Sequence, residues 1–355
     1  MDSTPVTARA LGRMYYVNGD NLERIYKNHL SGYADDKHKD LYIKWALNVE
    51  NMGIRLGIDE TKIGRNVYTI LINKDAHGHA GTIIAYCVST QIKTVSEILL
   101  KIPKKLRDSV VEVTMDFSDS MRGIVKTCFP QARITLDCFH MMKMICDAVE
   151  ERRLRCKRKA IKELNKLRAA FKKKLKKLSE RRSKYKKAHP KKYKGHKRGR
   201  KPMRAFRPPK MSNGETLLDV MLRSRTQLME SGDKWNENQK KRYNVIKEKY
   251  PEIARDYELL CSIRSIFRNR KLDREAARVK LHEWYDKVTK CTSREMKSAR
   301  ELIKTREEDI LNYFIDRSSN ALSESLNSRI KRFLAQSNGT KDTAFFMYRV
   351  FKIFG

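Results

Sequence analysis

Two periodicities of apolar residues divide this chain into a strand-rich part and a helix-rich part. Between residues 53 and 140, apolar side chains alternate with polar ones or form short runs, which predicts strands. Helices are predicted over 94–102 and 118–129, and each is followed by a proline. Hairpin strands followed by helix, strand, helix and strand predict an α/β fold with a mixed five-stranded sheet and helices on its faces. The predicted strands are Gly53–Asp59, Asn66–Lys74, Gly81–Ser89, Ser109–Asp116 and Gln131–Asp137.

Helical spacing dominates the remainder of the chain, so four regions are predicted. Residues 1–50 form short helices, 51–143 the first part of the α/β core, 144–317 a helical insertion, and 318–355 the helices that complete the core. In the first region, helices over 8–16 and from a cap at Asp20 to Leu30 flank a turn at 17–19. That outline is typical of a helix-turn-helix DNA-binding unit, although an ordinary helical hairpin is the simpler interpretation.

The last predicted helix, Ser319–Ala335, separates apolar from polar positions. Ser318 or Ser319 is expected to cap it. The stripe expected to pack comprises Leu322, Leu326, Ile330 and Phe333. The opposite polar face comprises Asn320, Glu324, Asn327 and Lys331.

Charge identifies the class of partner. The formal net charge is +37, and residues 151–210 hold 29 Lys and Arg against Glu151, Glu163 and Glu180. Such a density of one sign repels itself, so contact with nucleic acid phosphates is favoured over a merely solvated face. Within residues 151–210, called here the basic arm, residues 197–202 resemble an AT-hook, with Lys201 where proline is usual. Residues 179 to about 213 are expected to be mobile. The predicted DNA-binding residues are Lys172, Lys173, Lys174, Arg181, Arg182, Lys197, Arg198, Arg200 and Lys201.

Other features of the sequence indicate a cytoplasmic protein. The seven cysteines are scattered without Cys-x-x-Cys spacing, which argues against a zinc ribbon and a disulfide framework. No apolar run is long enough to span a membrane, and the N-terminus lacks the pattern of a signal peptide.

Three carboxylates stand out as candidate metal ligands. Asp59 and Asp116 close strands that can lie side by side and parallel, and Glu324 lies on the last helix. Mg²⁺ prefers such oxygen ligands, and two ions can promote an in-line displacement at phosphorus. From spacing alone, however, an Asp after a strand is more often a turn residue, and a Glu on a polar helix face is usually solvated.

Five segments, in order, resemble the DDE transposases of bacterial insertion sequences, specifically the ISL3 family. The resemblance runs from about residue 53 to the C-terminus. The segments are Leu-Gly-Ile-Asp-Glu at 56–60, Val-Thr-Met-Asp at 113–116, Phe-Pro-Gln-Ala at 129–132, Leu-Asp-Cys-Phe-His-Met-Met-Lys at 136–143 and Ser-Asn-Ala-Leu-Ser-Glu-Ser-Leu-Asn-Ser-Arg-Ile-Lys at 319–331.

The resemblance implies an RNase H-like core, interrupted by a helical insertion, with Asp59, Asp116 and Glu324 as catalytic acids holding two Mg²⁺ or Mn²⁺ ions. Asp137 and His140 match the family's Asp-x-Phe-His signature, with Cys138 where arginine is usual. They are expected to support the site or contact substrate, or equally to be buried structural residues. Asn327 and Lys331 are further candidates beside the site. A zinc ribbon is often N-terminal in the family; here another polypeptide would supply it, or residues 1–50 and the basic arm would replace it.

The sequence therefore predicts a DNA transposase that binds terminal inverted repeats and catalyses strand cleavage and strand transfer. Its expected partners are the element ends, target DNA and a second copy of the chain, without a membrane, in a bacterial cytoplasm near the nucleoid. An inactive DNA-binding derivative and an RNase H-like nuclease without joining activity are the alternatives. Mg²⁺-dependent nicking distinguishes the first alternative, and a new strand junction in the product distinguishes the second.

Overall fold

Six strands form one mixed sheet in a computed structural model, which describes residues 1–193, 205–337 and 342–355. The order across the sheet is β1-β4-β3-β2-β5-β6, with β2, β5 and β6 parallel and the remaining neighbours antiparallel. The strands are β1 (Trp45–Leu47), β2 (Arg55–Ile63), β3 (Asn66–Asn73), β4 (Ile83–Cys87), β5 (Glu112–Met115) and β6 (Arg133–Leu136).

The predicted α/β class is confirmed, and the sheet has one strand more than the sequence indicated. The additional strand, β1, lies in the region predicted to be helical and pairs with β4 at the edge of the sheet. Three residues are too few to show an alternating pattern, so pairing with β4 rather than local propensity defines this strand.

Strand β2 continues past Asp59, where the sequence predicted it to end. Ile63 pairs with Asn66 across a two-residue turn, and Gly64 in that turn has a φ of 60° that suits glycine. Asp59 itself pairs with Ile70 of β3. The backbone of this acid is therefore held in a hairpin ladder rather than in a turn.

Helices account for the rest of the regular structure. Residues 26–30 form a π-helix directly after α2, and short 3₁₀ segments occur in several connections. The helices are α1 (Ala8–Tyr15), α2 (Gly19–Ile25), α3 (Ile92–Leu99), α4 (Lys104–Asp108), α5 (Asp119–Cys128), α6 (Cys138–Ala188), α7 (Leu217–Gln227), α8 (Glu237–Lys249), α9 (Pro251–Arg268), α10 (Arg274–Thr289), α11 (Arg294–Thr305), α12 (Glu307–Leu311), α13 (Tyr313–Asp316), α14 (Ala321–Gln336) and α15 (Thr343–Phe354).

The two faces of the sheet are covered by different helices. Ile58 of β2 lines one small cavity together with Val95, Ile98 and Leu99 of α3, so odd and even positions of β2 face opposite sides. On the other face, α14 and α15 pack against β3 and β4 in one buried apolar cluster. That cluster includes Tyr68, Ile70, Ile72, Ile83, Tyr86, Leu326, Ile330, Phe333, Met347, Val350 and Phe354.

The chain divides into two compact units. One comprises residues 1–141, 271–279 and 303–355 and contains the sheet; the other comprises 142–270 and 280–302 and is helical where described. The helical unit has its own core, in which the buried Trp284 indole donates to the Leu259 carbonyl at 2.9 Å. In the described residues, no helix combines the length and apolar character needed to cross a membrane. The four-region division predicted above remains a prediction.

Three local predictions were wrong. Asn18, rather than Asp20, caps α2 by accepting from the Asp20 and Asn21 amides. Residues 179–188 belong to helix α6 rather than to a mobile arm, because they contain no Gly or Pro and are rich in good helix formers. Helix α14 begins after Asn320 without a side-chain cap, while the Ser318 hydroxyl donates to buried Glu112 at 2.5 Å.

Candidate active site

Three neighbouring parallel strands carry an acid at matching positions. Gly57 of β2 pairs with Thr114 of β5, and Met115 of β5 pairs with Leu136 of β6. Continuing both registers places Asp59 beside Asp116, and Asp116 beside Asp137. The acids therefore lie in a row at the carboxyl side of the parallel strands, where open α/β sheets bind their ligands.

Asp59 is buried and held from two directions. Its side chain is 8% exposed; Oδ2 accepts from the Asn327 amide at 2.7 Å, and Oδ1 accepts from the Glu60 backbone N–H at 2.8 Å. Burial, followed by the negative charge of Asp116, raises the pKa of Asp59 to about 6. Its carboxyl group is therefore poised to exchange a proton for a cation near neutral pH.

Asp116 and Asp137 share a contact with one imidazole. His140 Nδ1 lies 3.1 Å from Asp116 Oδ1 and 3.2 Å from Asp137 Oδ2. The Asn320 amide also donates to Asp116 Oδ1, at 3.3 Å. Asp137 is 4% exposed and immediately precedes α6, so the start of that helix carries His140 towards the strand ends.

Helix α14 brings the fourth acid to this cluster. Glu324 lies four residues after Asn320 and three before Asn327, which puts all three on one helix face. Glu324 is exposed, yet burial and then the negative charges of Asp137 and Asp116 raise its pKa, while His140 opposes the rise. Its carboxyl group is therefore within electrostatic reach of both strand-end acids.

Close contact between α14 and β2 sets the position of this helix. Gly57 lies so near α14 that a Cβ there would be 2.7 Å from Ser323 Oγ. Ser323 is 3% exposed, and its hydroxyl has no hydrogen-bond partner among the residues that the structure describes. Glycine at position 57 thus allows the backbone approach that brings Glu324 to the carboxylates.

Most of the predicted site residues converge. Asp59, Asp116, Glu324, Asp137 and His140 form one electrostatic cluster, with Asn327 hydrogen-bonded to Asp59. The prediction that Asn320 and Asn327 lie on a face opposite the packed one was wrong, because both are buried against the sheet at 1% and 7% exposure.

The remaining residues are a missed partner of Asp116, the candidate Lys331 and the predicted DNA-binding residues. Asn320 was not predicted as a partner of Asp116; its spacing of two helical turns from Asn327 was the available signal. Lys331 lies on the exposed side of α14. The five basic residues predicted on α6 are all exposed, and the remaining four lie outside the described residues. The former are Lys172, Lys173, Lys174, Arg181 and Arg182; the latter are Lys197, Arg198, Arg200 and Lys201.

The donor set fits a divalent metal ion. Burial and, after it, the negative charges of the neighbouring carboxylates raise the pKa of both Asp59 and Glu324. Ligand atoms of Asp116, Asp137 and His140 lie within 4.8 Å of one another. Carboxylate oxygens are the ligands that Mg²⁺ and Mn²⁺ favour, and a bound cation would relieve this repulsion.

Comparison with known proteins agrees with this geometry. A transposase family model matches residues 56–219 and 200–350, and so includes Asp59, Asp116, Asp137 and α14. No curated protein and no solved structure matches the chain. Since the family match extends over more than half of the sequence, the chain belongs to the ISL3 family of DDE transposases.

Proposed function

We propose that this protein binds the terminal inverted repeats of its element, cleaves DNA strands there and joins the 3′-hydroxyl ends to target DNA. Two observations support the proposal: Asp59 and Asp116 are neighbours in the register of β2 and β5, and Glu324, some two hundred residues later, follows Ser323, which packs against Gly57 of β2. Acids held on rigid elements from distant parts of a chain suit a site that binds metal and phosphate together.

In this proposal Asp59, Asp116 and Glu324 hold the metal ions, two in number. Bound divalent cations would supply charge stabilisation to the attacking and leaving oxygens of an in-line displacement. The chain's own contribution is orientation. Asn327 and Asn320 each donate to one acid, and this fixes the rotamers of Asp59 and Asp116 before any substrate arrives.

The exposed basic side chains of α6 would hold the DNA backbone. Lys172, Lys173 and Lys174 follow one another on the outer surface of this helix, and Arg181 and Arg182 repeat the pattern two turns later. Contacts of this kind position a duplex without reading its sequence. Sequence recognition is assigned in this proposal to residues 1–50 and to the part of the basic arm that follows α6.

The test is a strand-transfer assay on a plasmid that carries the coding region with its flanking DNA. Asp59→Asn, Asp116→Asn and Glu324→Gln should each lose cleavage and keep DNA binding, because each keeps side-chain volume and removes a charge. Glu97→Gln, on the exposed side of α3, is the matched control and should cleave normally. Full activity in one of the three variants would remove that residue from the site.

The wild-type products separate the remaining alternatives. DNA binding without Mg²⁺- or Mn²⁺-dependent nicking would indicate an inactive DNA-binding derivative. Nicking without any new junction between element and target would indicate a nuclease that does not join strands.

A further inference from the structure

The contacts of His140 differ from those of an ordinary helix-start histidine. A single ring nitrogen, Nδ1, faces carboxylate oxygens of two different residues, Asp116 and Asp137, at 3.1 and 3.2 Å. One N–H can be directed well at one of these oxygens only, so the second oxygen faces a poorly aligned proton. Two carboxylate oxygens and one ring nitrogen thus converge on one point.

The separations match those of metal ligands. Bonds of about 2.1 Å at right angles place neighbouring ligand atoms about 3.0 Å apart in an octahedral shell. The two nitrogen–oxygen distances, 3.1 and 3.2 Å, need little change to accept an ion between the three atoms. The ligand oxygens of Asp116 and Asp137 also lie within 4.8 Å of each other.

Strands β5 and β6 and the start of α6 bring Asp116, Asp137 and His140 together. Asp137 and His140 are separated by three residues where β6 passes into α6, so both side chains point to the same side. Asp116 comes from the adjacent strand, whose backbone is paired with β6 up to the preceding residue. A carboxylate three residues before an imidazole recurs as a chelating pair in helical metal sites, and here the carboxylate lies one residue before the helix begins.

We infer that Asp137 and His140 are direct metal ligands, which complete with Asp116 a nitrogen-containing site for one of the divalent ions. This inference rests on the proposed function and goes beyond its three acids. An imidazole ligand favours transition metals, whereas Mg²⁺ prefers oxygen and water. The site should therefore bind Mn²⁺ more tightly than Mg²⁺, and His140 should account for the difference.

The test uses the full chain with Mn²⁺ as the probe and pulsed electron paramagnetic resonance as the readout. In the wild type, the most tightly bound Mn²⁺ should show the ¹⁴N coupling of a directly ligated imidazole. His140→Ala should abolish that coupling. Asp137→Asn should weaken Mn²⁺ binding by about tenfold or more, as loss of a group at a metal site commonly does. His29→Ala, on the π-helix after α2, is the control and should leave the coupling and the affinity unchanged.

A competition titration tests the metal preference separately. The ratio of Mn²⁺ to Mg²⁺ affinity should fall in His140→Asn, which keeps a donor of similar reach but removes the imidazole. Thermal melts without metal establish that each variant is folded, and Asp137→Asn stays informative where a His140 variant does not fold.

The outcomes distinguish this inference from the proposed function. Wild-type protein that binds Mn²⁺ and cleaves DNA without ¹⁴N coupling, with the Mn²⁺ preference unchanged in His140→Asn, would overturn the inference and leave the three-acid site intact. Nitrogen coupling in a wild-type protein that never cleaves DNA would support the metal site and contradict the proposed function.

Discussion

At the scale of single residues, Asp59 shows what the sequence could predict and what it could not. The alternation of 53–59 and the resemblance both identified this acid, and its side chain does lie on the sheet face opposite Ile58. Its environment could not be predicted, because the burial and the Asn327 contact arise when α14 packs on β2. The same holds for Asn320, whose partner Asp116 is distant in sequence.

The raised pKa of Asp59 predicts a pH dependence of stability in the metal-free protein. Its pKa moves from 3.8 to about 6, so the folded state binds this proton more tightly than the unfolded chain does. The resulting stabilisation is complete below pH 4 and is lost as pH rises through 6, by up to about 3 kcal/mol in the free energy of unfolding. Urea unfolding in the presence of a chelator, at several pH values, measures it.

Two variants make this prediction specific. Asp59→Asn carries no titrating group and should flatten the stability profile between pH 4 and 6. Asp35→Asn, at an exposed position, should leave the profile as in the wild type. An equal slope in the wild type and Asp59→Asn would show that other groups cause the pH dependence.

At the scale of elements, the sequence identified the elements better than their ends and contacts. Alternation and helical spacing located five strands and the long helices, since both patterns extend over many residues. These patterns did not predict β1, the continuation of β2 to Ile63 or the true start of α14, because each depends on pairing or packing with a remote segment. Resemblance supplied Glu324, whereas the contact between Gly57 and Ser323 that brings α14 close could not be inferred from local pattern.

The close contact between Gly57 and Ser323 predicts different effects of two alanine substitutions on stability. Gly57→Ala should destabilise the protein by about 1–3 kcal/mol, because the new methyl group meets Ser323 Oγ at 2.7 Å and pushes α14 from the sheet. Ser323→Ala alone should be close to neutral or stabilising, since it removes a buried hydroxyl without a partner in the described part of the chain.

The double variant Gly57→Ala/Ser323→Ala should recover part of the loss. Some strain remains because Ile72 Cγ1 also lies 3.1 Å from the new Cβ position. Urea unfolding of the four proteins gives the coupling free energy, expected at about 0.5–3 kcal/mol. Strictly additive effects would mean that Ser323 does not limit the approach of α14 to β2.

At the scale of the whole molecule, the net positive charge determines which class of partner the protein attracts. The net charge of +37 attracts polyanions in general, but only charges that contact phosphates release counterions on binding. Composition alone predicted a nucleic acid partner. The structure adds that a 51-residue helix, α6, carries many of these charges on an exposed surface.

Neutralising three of these charges should change the salt dependence of DNA binding. Lys172→Gln, Lys173→Gln and Lys174→Gln together should lower the slope of log affinity against log salt by about two to three, since each phosphate contact contributes about 0.9. Titration of a mixed-sequence duplex at several salt concentrations measures this slope.

The control removes the same number of charges from another exposed helix. Lys241→Gln, Lys247→Gln and Lys249→Gln on α8 should lower affinity slightly and leave the slope near that of the wild type. Equal loss of slope in both triple variants would mean that general attraction, rather than contact along α6, accounts for binding.

The late position of α14 in the chain has a consequence for synthesis on the ribosome. A growing polypeptide completes β2, β5 and β6 early, yet Glu324 emerges some two hundred residues after Asp116. The apolar cluster over β3 closes only when α15 has also been made. Under the proposed function, a growing chain that already carries α6 could contact DNA before it can cut, because the site also needs Glu324 of α14.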